Sequence, residues 1–248
     1  MIYNFLTHLG KYAQMLRKML SSRPENPKVY WKEYMAQGFD IGIRSLPIVI
    51  IISVFLGAVM TVQTAYQMVS PLIPKSIIAS IVRDSVILEL APTIISIVLA
   101  GVVGSKIASE LGNMRVSEQI DALEIMGINT YGYLILPKVI VALILVPCLI
   151  IIAIFLSMIG GFFTAVVTGI MSKEQYLFGL EDGFQTFNIS VAMVKAITFS
   201  FVISTIPAYY GFFVKGGALE IGRSSTTSVI VSCVMILFAD YIITMLML

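Results

Sequence analysis

Several ionisable residues of this 248-residue chain lie within or beside long apolar runs, where charged side chains are rare. Glu89 and Asp240 each interrupt an apolar run, and Lys195 lies near the end of another. A charge in an apolar environment is costly unless an opposite charge or a polar cavity accepts it. These residues are therefore the first candidates for a functional site.

A polar island, SELGNMRVSEQIDALEIMGI from Ser109 to Ile128, is the second candidate. Ser117 is a good N-cap and Gly127 suits the end of a helix, so the sequence predicts a short helix over 118–126. At about 100° per residue this helix is amphipathic. Its apolar side comprises Val116, Ile120, Leu123 and Met126, and its acidic side comprises Glu118, Asp121 and Glu124. Such a helix offers carboxylates to a partner, although a capping or re-entrant helix without a partner would show the same pattern.

Several catalytic motifs are absent from the sequence. There is no G-x-x-x-x-G-K-[ST] phosphate-binding loop and no H-E-x-x-H zinc motif, and the single histidine, His8, lies in the N-terminal segment. We therefore expect a non-catalytic chain with no metal, no cofactor and no nucleic-acid partner. If ATP drives the function of this chain, a separate ATPase has to bind to the chain. The acidic helix is the expected docking surface for that ATPase.

The composition indicates an integral membrane protein. Hydrophobic residues make up 58% of the chain and charged residues 12%, with a mean hydropathy of +0.96. Charged residues make up about a quarter of a typical soluble domain. The apolar runs leave little sequence for a separate water-soluble unit, so we expect one membrane domain over residues 1–248.

Five segments are long and apolar enough to cross a bilayer, which takes about 20 residues per helix. One of them is longer than a single span needs, and we count it as one tilted or broken span with Gly160 and Gly161 at a bend or a close-packing point. The predicted spans are Leu46 to Gln63, Val86 to Gly104, Leu134 to Ile170, Ile189 to Val214, and Thr226 to Leu248. The sequence thus predicts an all-α membrane fold with a five-span core over 46–248 and the acidic helix, at 117–127, between spans two and three.

The first 45 residues are predicted to lie at the membrane surface. Apolar residues recur at steps of three and four from Ile2 onward, while Lys11 and Lys18 fall on other faces, as in an amphipathic helix of the headgroup region. The stretch VYWKEYMAQGFDIGIRSLP mixes aromatic and basic residues, which fits an interfacial elbow before the first span. A soluble arm that docks on another protein is the alternative interpretation.

The placement of the basic residues predicts a cytoplasmic N-terminus. Five spans put the termini on opposite sides, and cytoplasmic segments carry an excess of Lys and Arg. With the N-terminus inside, twelve of the sixteen basic residues fall on the cytoplasmic side, as does the acidic helix. The outer side then holds Lys75, Arg83, Lys173 and Lys195.

Two stretches resemble the signatures of the MlaE permease family. The first signature is matched by LELAPTIISIVLAGVVGSKIASELGNMRVSEQIDALEIMGI, most specifically by ELGNM and EQIDALEIMGI. The second is matched by GGALEIGRSSTTSVIVSCVMILFADYIIT, from Gly216 to Thr244. Members of this family are membrane subunits of ABC transporters that move phospholipid between membranes. The resemblance covers nearly the whole chain beyond about Gly38.

The resemblance implies a homodimeric permease of the bacterial inner membrane with an interfacial helix and five spans. It also implies partners: ATPase subunits, an MCE-domain protein similar to MlaD on the far side, phospholipid and, in many systems, a STAS-domain protein. In the family, a cytoplasmic coupling helix after the second span sits in a groove of the ATPase, and EQIDALEIMG occupies that position here. The inferred coupling residues are Glu118, Asp121, Ala122, Leu123, Glu124, Met126 and Gly127.

This sequence departs from the family pattern at two basic positions. The family commonly has Arg-Glu-Leu-Gly-Pro at the start of the second span, and Leu88 replaces the arginine before Glu89. Its frequent Gly-Arg-x-Gly-Ser has Val102 in place of the arginine, and Lys106 follows four residues later. We therefore do not carry over a headgroup role that depends on those arginines.

The resemblance and the predicted depths together suggest roles for the charges within the spans. Lys195 and Glu89 are predicted to lie at a similar depth in the membrane, and the family often has a lysine at the position of Lys195. We therefore expect the two residues to pair and to line an outward-facing lipid pocket. A pair at the membrane interface without substrate contact is the alternative. For Asp240, a structural hydrogen bond and a proton relay are both open, and the relay would make the chain a proton-coupled secondary transporter that uses Glu89 and Asp240. Such transporters usually contain internal repeats, and we find none in this sequence.

Overall fold

The computed structural model of the chain describes residues 2–21, 27–68 and 74–248. These residues are mostly helical, and no strand occurs among them. The predicted all-α fold is therefore confirmed. The helices are α1 (Ile2–Leu20), α2 (Pro27–Gly38), α3 (Leu46–Gln67), α4 (Ser76–Ser85), α5 (Ala91–Leu99), α6 (Ser105–Val116), α7 (Gln119–Ile125), α8 (Leu136–Val167), α9 (Lys173–Glu181), α10 (Thr186–Phe212) and α11 (Ala218–Met247). Short π-helical segments lie at Phe39–Ile43, Val86–Leu90, Ala100–Gly104 and Tyr131–Ile135.

Five helical stretches in the described ranges are long and apolar enough to cross a membrane, which confirms the predicted number. They are Tyr30–Gln67, Ser76–Val116, Tyr131–Val167, Thr186–Phe212 and Ala218–Met247. All five begin earlier than predicted: the third and the fourth by three residues, and the first, second and fifth by more, at Tyr30, Ser76 and Ala218. The helices extend past the apolar core through charged residues, which a search for apolar runs leaves out.

The chain divides into two compact units. The first unit comprises Met1–Ile43, Leu99–Leu145 and Ser200–Met235, and the second unit comprises Arg44–Val98, Val146–Phe199 and Ile236–Leu248. Glu89, Lys195 and Asp240 belong to the second unit, whereas the predicted acidic helix belongs to the first.

In the first unit, α1 buries Met15 and Met19, turns the hydroxyl of Tyr12 inward and leaves three leucines exposed. The hydroxyl of Tyr12 lies 2.7 Å from Thr205 Oγ1, and burial raises the pKa of Tyr12. Leu6, Leu9 and Leu20 are exposed; the side chain of Ile2 lies outside the described part. Exposed apolar residues on a helix with basic residues at its end fit the predicted position at the membrane surface.

In the second unit, α3 and α8 approach each other at glycines. A Cβ atom on Gly57 would collide with the backbone of Ser157, and one on Gly160 would collide with the backbone of Val54. Small residues of this kind allow spanning helices to pack closely. Because α8 is continuous through Gly160 and Gly161, the span is not broken there, and these glycines form the close-packing point that was one of the two expected alternatives.

The two ends of α9 are fixed by hydrogen bonds within the second unit. At its start, Ser172 Oγ accepts from the amide of Gln175, whose side chain accepts from the amide of Ser172, which is a capping box. At its end, the buried guanidinium of Arg83 donates to backbone carbonyls. Its acceptors are the carbonyls of Gly179, Leu180 and Asp182 and the carboxylate of Asp84.

Candidate functional site

Glu89 and Lys195 form an ion pair in the second unit. Lys195 Nζ donates to Glu89 Oε1 over 2.7 Å. The side chain of Lys195 is fully buried, whereas that of Glu89 is 42% exposed. The pairing expected from the predicted depths is therefore present, and the pair exposes its carboxylate rather than its ammonium group.

The backbone around Glu89 explains how the lysine is held. Glu89 lies in the π-helical segment Val86–Leu90, a helix distortion that is frequent at functional sites. Pro92 has no N–H, so it cannot supply the donor that the Leu88 carbonyl would receive in an α-helix. Lys195 Nζ donates to this carbonyl over 2.9 Å. Pro92 thus offers no competing α-helical donor to the Leu88 carbonyl, and the lysine donates to it.

Asp240 of α11 contacts the same lysine, an arrangement that the sequence analysis did not anticipate. Lys195 Nζ lies 2.7 Å from Asp240 Oδ1, as an ion pair without hydrogen-bond alignment. Thr244 donates to Glu89 Oε1 over 3.1 Å. Residues four apart share one face of a helix, so the spacing places Asp240 and Thr244 on the same face of α11, but it does not identify Glu89 as the residue that this face meets. Asp240 thus makes an ion pair in place of the structural hydrogen bond that was considered for it.

We call Glu89, Lys195 and Asp240 the ion cluster. Its members come from the second, fourth and fifth spans, so the cluster links these three spans within the second unit. With all three groups ionised, one ammonium faces two carboxylates and the net charge is −1. Charges within a membrane span require such partners, and they are usually functional.

A separate apolar cavity of about 450 Å³ lies in the second unit. Its walls are mostly apolar and include Ile87, Phe155 and Met193, and two charged residues, Arg83 and Glu181, also line it. Because the guanidinium of Arg83 already has protein acceptors, the cavity offers little polar contact. No member of the ion cluster lines it, so the charged site and this apolar space are distinct.

The predicted acidic helix is present in the first unit as α7, one residue shorter at each end than expected. Its end is as predicted, because Gly127 has a φ of +79°, a conformation that glycine adopts without steric cost. The amides of Gly127 and Ile128 donate to the carbonyls of Glu124 and Leu123. These are the two hydrogen bonds of a Schellman motif.

The predicted start of this helix is wrong. The hydroxyl of Ser117 donates to the carbonyl of Asn113 in α6 and does not cap α7. Glu118 takes the N-cap position with a φ of 58° and without a side-chain cap hydrogen bond. A left-handed backbone is strained for a non-glycine residue, so its surroundings have to hold it. The ion pair of Arg115 Nη1 with Asp121 Oδ1, at 2.7 Å, spans this turn.

The apolar side of the acidic helix also differs from the prediction. Ile120 is buried as expected, but Met126 is 65% exposed and Ile125 is 87% exposed. Val116 and Leu123 are half-buried. The exposed residues between positions 117 and 127 are Ser117, Glu118, Gln119, Ala122, Glu124, Ile125, Met126 and Gly127. The open surface of α7 is thus partly apolar.

Neighbouring residues engage part of the predicted acidic side. Asp121 is paired with Arg115, and Glu124 Oε1 accepts from Thr130 over 3.2 Å. Glu118 is exposed, and its side chain makes no hydrogen bond or ion pair with any residue that the structure describes. The acidic groups that remain most open are therefore Glu118 and Glu124.

Five spanning helices with an ion cluster inside the spans have the construction of a multi-pass membrane transport protein. A family model described as Permease MlaE matches residues 34–246. The chain belongs to the MlaE permease family.

Proteins similar to this chain include ABC transporter permeases. A probable ABC transporter permease protein of Rickettsia bellii is 36% identical over 218 residues, which cover 88% of this chain and 84% of the relative. One from Synechocystis is 30% identical over 207 residues, covering 84% and 78%. The protein TRIGALACTOSYLDIACYLGLYCEROL 1, chloroplastic, of Arabidopsis thaliana is 31% identical over 217 residues, covering 88% and 62%. This chain is thus a permease of an ABC transporter, as predicted.

Proposed function

We propose that this permease moves phospholipid and that a separate ATPase subunit drives it. The ion cluster supports this proposal, because a half-exposed carboxylate held by a buried lysine gives a polar headgroup a place among apolar spans. The name of the Arabidopsis relative contains that of a galactolipid, trigalactosyldiacylglycerol, which agrees with a lipid substrate.

Glu89 and Lys195 form the polar part of the proposed lipid pocket. Lys195 holds the Glu89 carboxylate and the Leu88 carbonyl at fixed positions. The exposed part of Glu89 polarises the rim of the pocket. The acyl chains of the lipid then remain on the apolar surfaces of the spans, where their transfer costs little.

The open surface of α7 is the proposed docking site for the ATPase. Ile125 and Met126 are apolar and exposed, and Glu118 adds a charge to the same segment. Exposed apolar groups bordered by polar ones mark protein interfaces. The ion pair of Arg115 with Asp121 joins α6 to α7, so a movement of the ATPase would pass through α7 into the second span. ATP hydrolysis itself takes place in the partner.

We further propose the assembly that the family resemblance implies. The chain forms a homodimer in the bacterial inner membrane with its N-terminus in the cytoplasm. An MCE-domain protein exchanges lipid with it on the far side, and in many systems of the family a STAS-domain protein binds the ATPase. The excess of basic residues in the predicted cytoplasmic segments supports this orientation.

Lipid transport by proteoliposomes tests the pocket. The chain is reconstituted with its ATPase and labelled phospholipid, and Glu89→Ala and Lys195→Ala are compared with Glu174→Ala, which removes an exposed carboxylate of α9. We expect at least a tenfold loss of transport for the first two, since each breaks the charge-assisted pair, and none for the third. Unchanged transport by Glu89→Ala at normal protein levels would show that the pocket lies elsewhere.

Co-purification tests the docking surface. Charge reversal of Glu118, Asp121 and Glu124 to Lys should release the ATPase, whereas reversal of Glu174, Glu181 and Asp182 in the second unit should not. Ile125→Asp with Met126→Asp tests the apolar part without breaking the ion pair of Arg115. An ATPase that stays bound to both sets of α7 variants would contradict the proposal.

A proton-coupled secondary transporter is the second candidate, because two carboxylates share one lysine in the ion cluster. This function predicts transport by the chain alone under a pH gradient. The proposed function predicts transport that requires ATP and a co-purified ATPase. Proton-driven transport without the ATPase would overturn the proposed function.

A further inference from the structure

A headgroup at the ion cluster cannot use Lys195 as its partner. A lysine ammonium has three N–H donors, and three acceptors surround that of Lys195. The Leu88 carbonyl lies at 2.9 Å, and Glu89 Oε1 and Asp240 Oδ1 each lie at 2.7 Å. The side chain is also fully buried. Protein oxygens therefore already lie against the ammonium group on three sides, and the lysine has no exposed surface left for a phosphate group.

Glu89 has the opposite properties. Its hydrogen bonds from Lys195 and Thr244 both reach Oε1, and no residue that the structure describes donates to Oε2. With 42% of its side chain exposed, Glu89 is the accessible member of the cluster. An ionised carboxylate only accepts hydrogen bonds, and its strongest partners are positively charged donors. The ligand group that fits Oε2 is therefore a cation with N–H donors.

The charges around Glu89 favour the same kind of ligand. The ion cluster has a net charge of −1 when its members are ionised. Arg83, the other buried cation described in the second unit, is occupied by Asp84 and three backbone carbonyls. Leu88 adds no charge beside Glu89. An anionic group is repelled here and a cationic group is attracted.

We propose that the ion cluster selects phospholipids whose headgroup ends in a primary ammonium group, as in phosphatidylethanolamine, over those whose headgroup lacks a cation, as in phosphatidylglycerol. The ammonium donates to Glu89 Oε2 and neutralises the net charge of the cluster. A glycerol headgroup offers hydroxyl donors but no positive charge. This inference rests on the proposed function, because it requires lipid in this pocket.

A competition experiment on the purified full-length chain tests the selectivity. A phospholipid labelled on its acyl chain is displaced by phosphatidylethanolamine or by phosphatidylglycerol with identical acyl chains. We expect phosphatidylethanolamine to displace it at an about tenfold lower concentration, since one charge-assisted hydrogen bond distinguishes the two. Equal displacement, or a preference for phosphatidylglycerol, would overturn the inference.

Three variants separate this inference from the proposed function. Leu88→Arg places a cation beside Glu89, and Glu89→Gln removes the excess charge, so both should abolish the preference. Glu174→Gln removes an exposed carboxylate of α9 and should leave the preference unchanged. If Glu89→Gln weakens both lipids equally and the parent chain shows no preference, the pocket is correct and the selectivity is wrong. If neither Leu88→Arg nor Glu89→Gln alters the binding of either lipid, the pocket itself is wrong.

Discussion

The two compact units each contain a buried lysine, and the two lysines differ in how their charge is matched. In the second unit, Lys195 lies 2.7 Å from each of two carboxylates. In the first unit, Lys138 is 1% exposed, and its Nζ lies 2.8 Å from one carboxylate, Glu110 Oε1. The first unit thus holds a balanced pair, whereas the second holds an excess negative charge.

This difference indicates which site is suited to a ligand. The side chains of Glu110 and Glu89 are similarly exposed, at 37% and 42%, so exposure does not separate them. The pair of Lys138 and Glu110 is neutral as it stands, and it serves to join α6 to α8. The ion cluster has one carboxylate more than it has cations, and that excess is what a cationic ligand would neutralise.

Removing each lysine should give the largest contrast between the units. Lys195→Ala leaves two carboxylates close together without a cation, and we expect the free energy of unfolding to fall by about 3–5 kcal/mol. Lys138→Ala leaves one carboxylate that water can reach, and we expect a loss of about 1–3 kcal/mol. Denaturant titration of the purified chain in detergent measures both, with Lys173→Ala at an exposed lysine as the control. Equal losses for Lys195 and Lys138 would show that the second carboxylate does not matter.

Neutralising one carboxylate in each unit should reverse the order. Asp240→Asn leaves Lys195 paired with Glu89 and makes the ion cluster neutral, so we expect a change of less than about 1 kcal/mol in the free energy of unfolding. Glu110→Gln leaves a buried lysine without a counter-charge, and we expect a loss of about 3 kcal/mol. The same titration measures both. A larger loss for Asp240→Asn would mean that the ion cluster needs both carboxylates for stability, which contradicts an excess charge held for a ligand.

The sequence could pair Glu89 with Lys195 because depth along a span can be counted from the ends of the apolar runs. Depth does not give the rotation of a helix about its axis, so the sequence left two roles open for Asp240 and did not indicate Thr244. The sequence also did not show the role of Pro92. Its missing N–H matters at the Leu88 carbonyl only because the fold brings Lys195 within hydrogen-bond distance of that carbonyl.

The acidic helix shows which of its features capping residues and helical periodicity can predict and which they cannot. Gly127 ends the helix as predicted, because the left-handed conformation is a local requirement of the chain. Ser117 failed as a cap because its hydroxyl donates to Asn113, the residue four positions earlier. Met126 was assigned inward by helical periodicity, but α7 ends at Ile125, so periodicity no longer sets its direction.

The smallest contrast concerns two threonines that donate to glutamates. Thr244 donates to Glu89 over 3.1 Å in the second unit, and Thr130 donates to Glu124 over 3.2 Å in the first. Replacement by Val removes the hydroxyl at nearly constant shape, and we expect each to cost about 1 kcal/mol in the free energy of unfolding. Only Thr244→Val should also alter lipid binding, because it removes one of the two donors to Glu89 Oε1, so that this oxygen, which then keeps only Lys195, can compete with Oε2 for the headgroup. Competition by phosphatidylethanolamine measures this effect, and an equal response from Thr130→Val would mean that lipid binding follows overall stability rather than the state of Glu89.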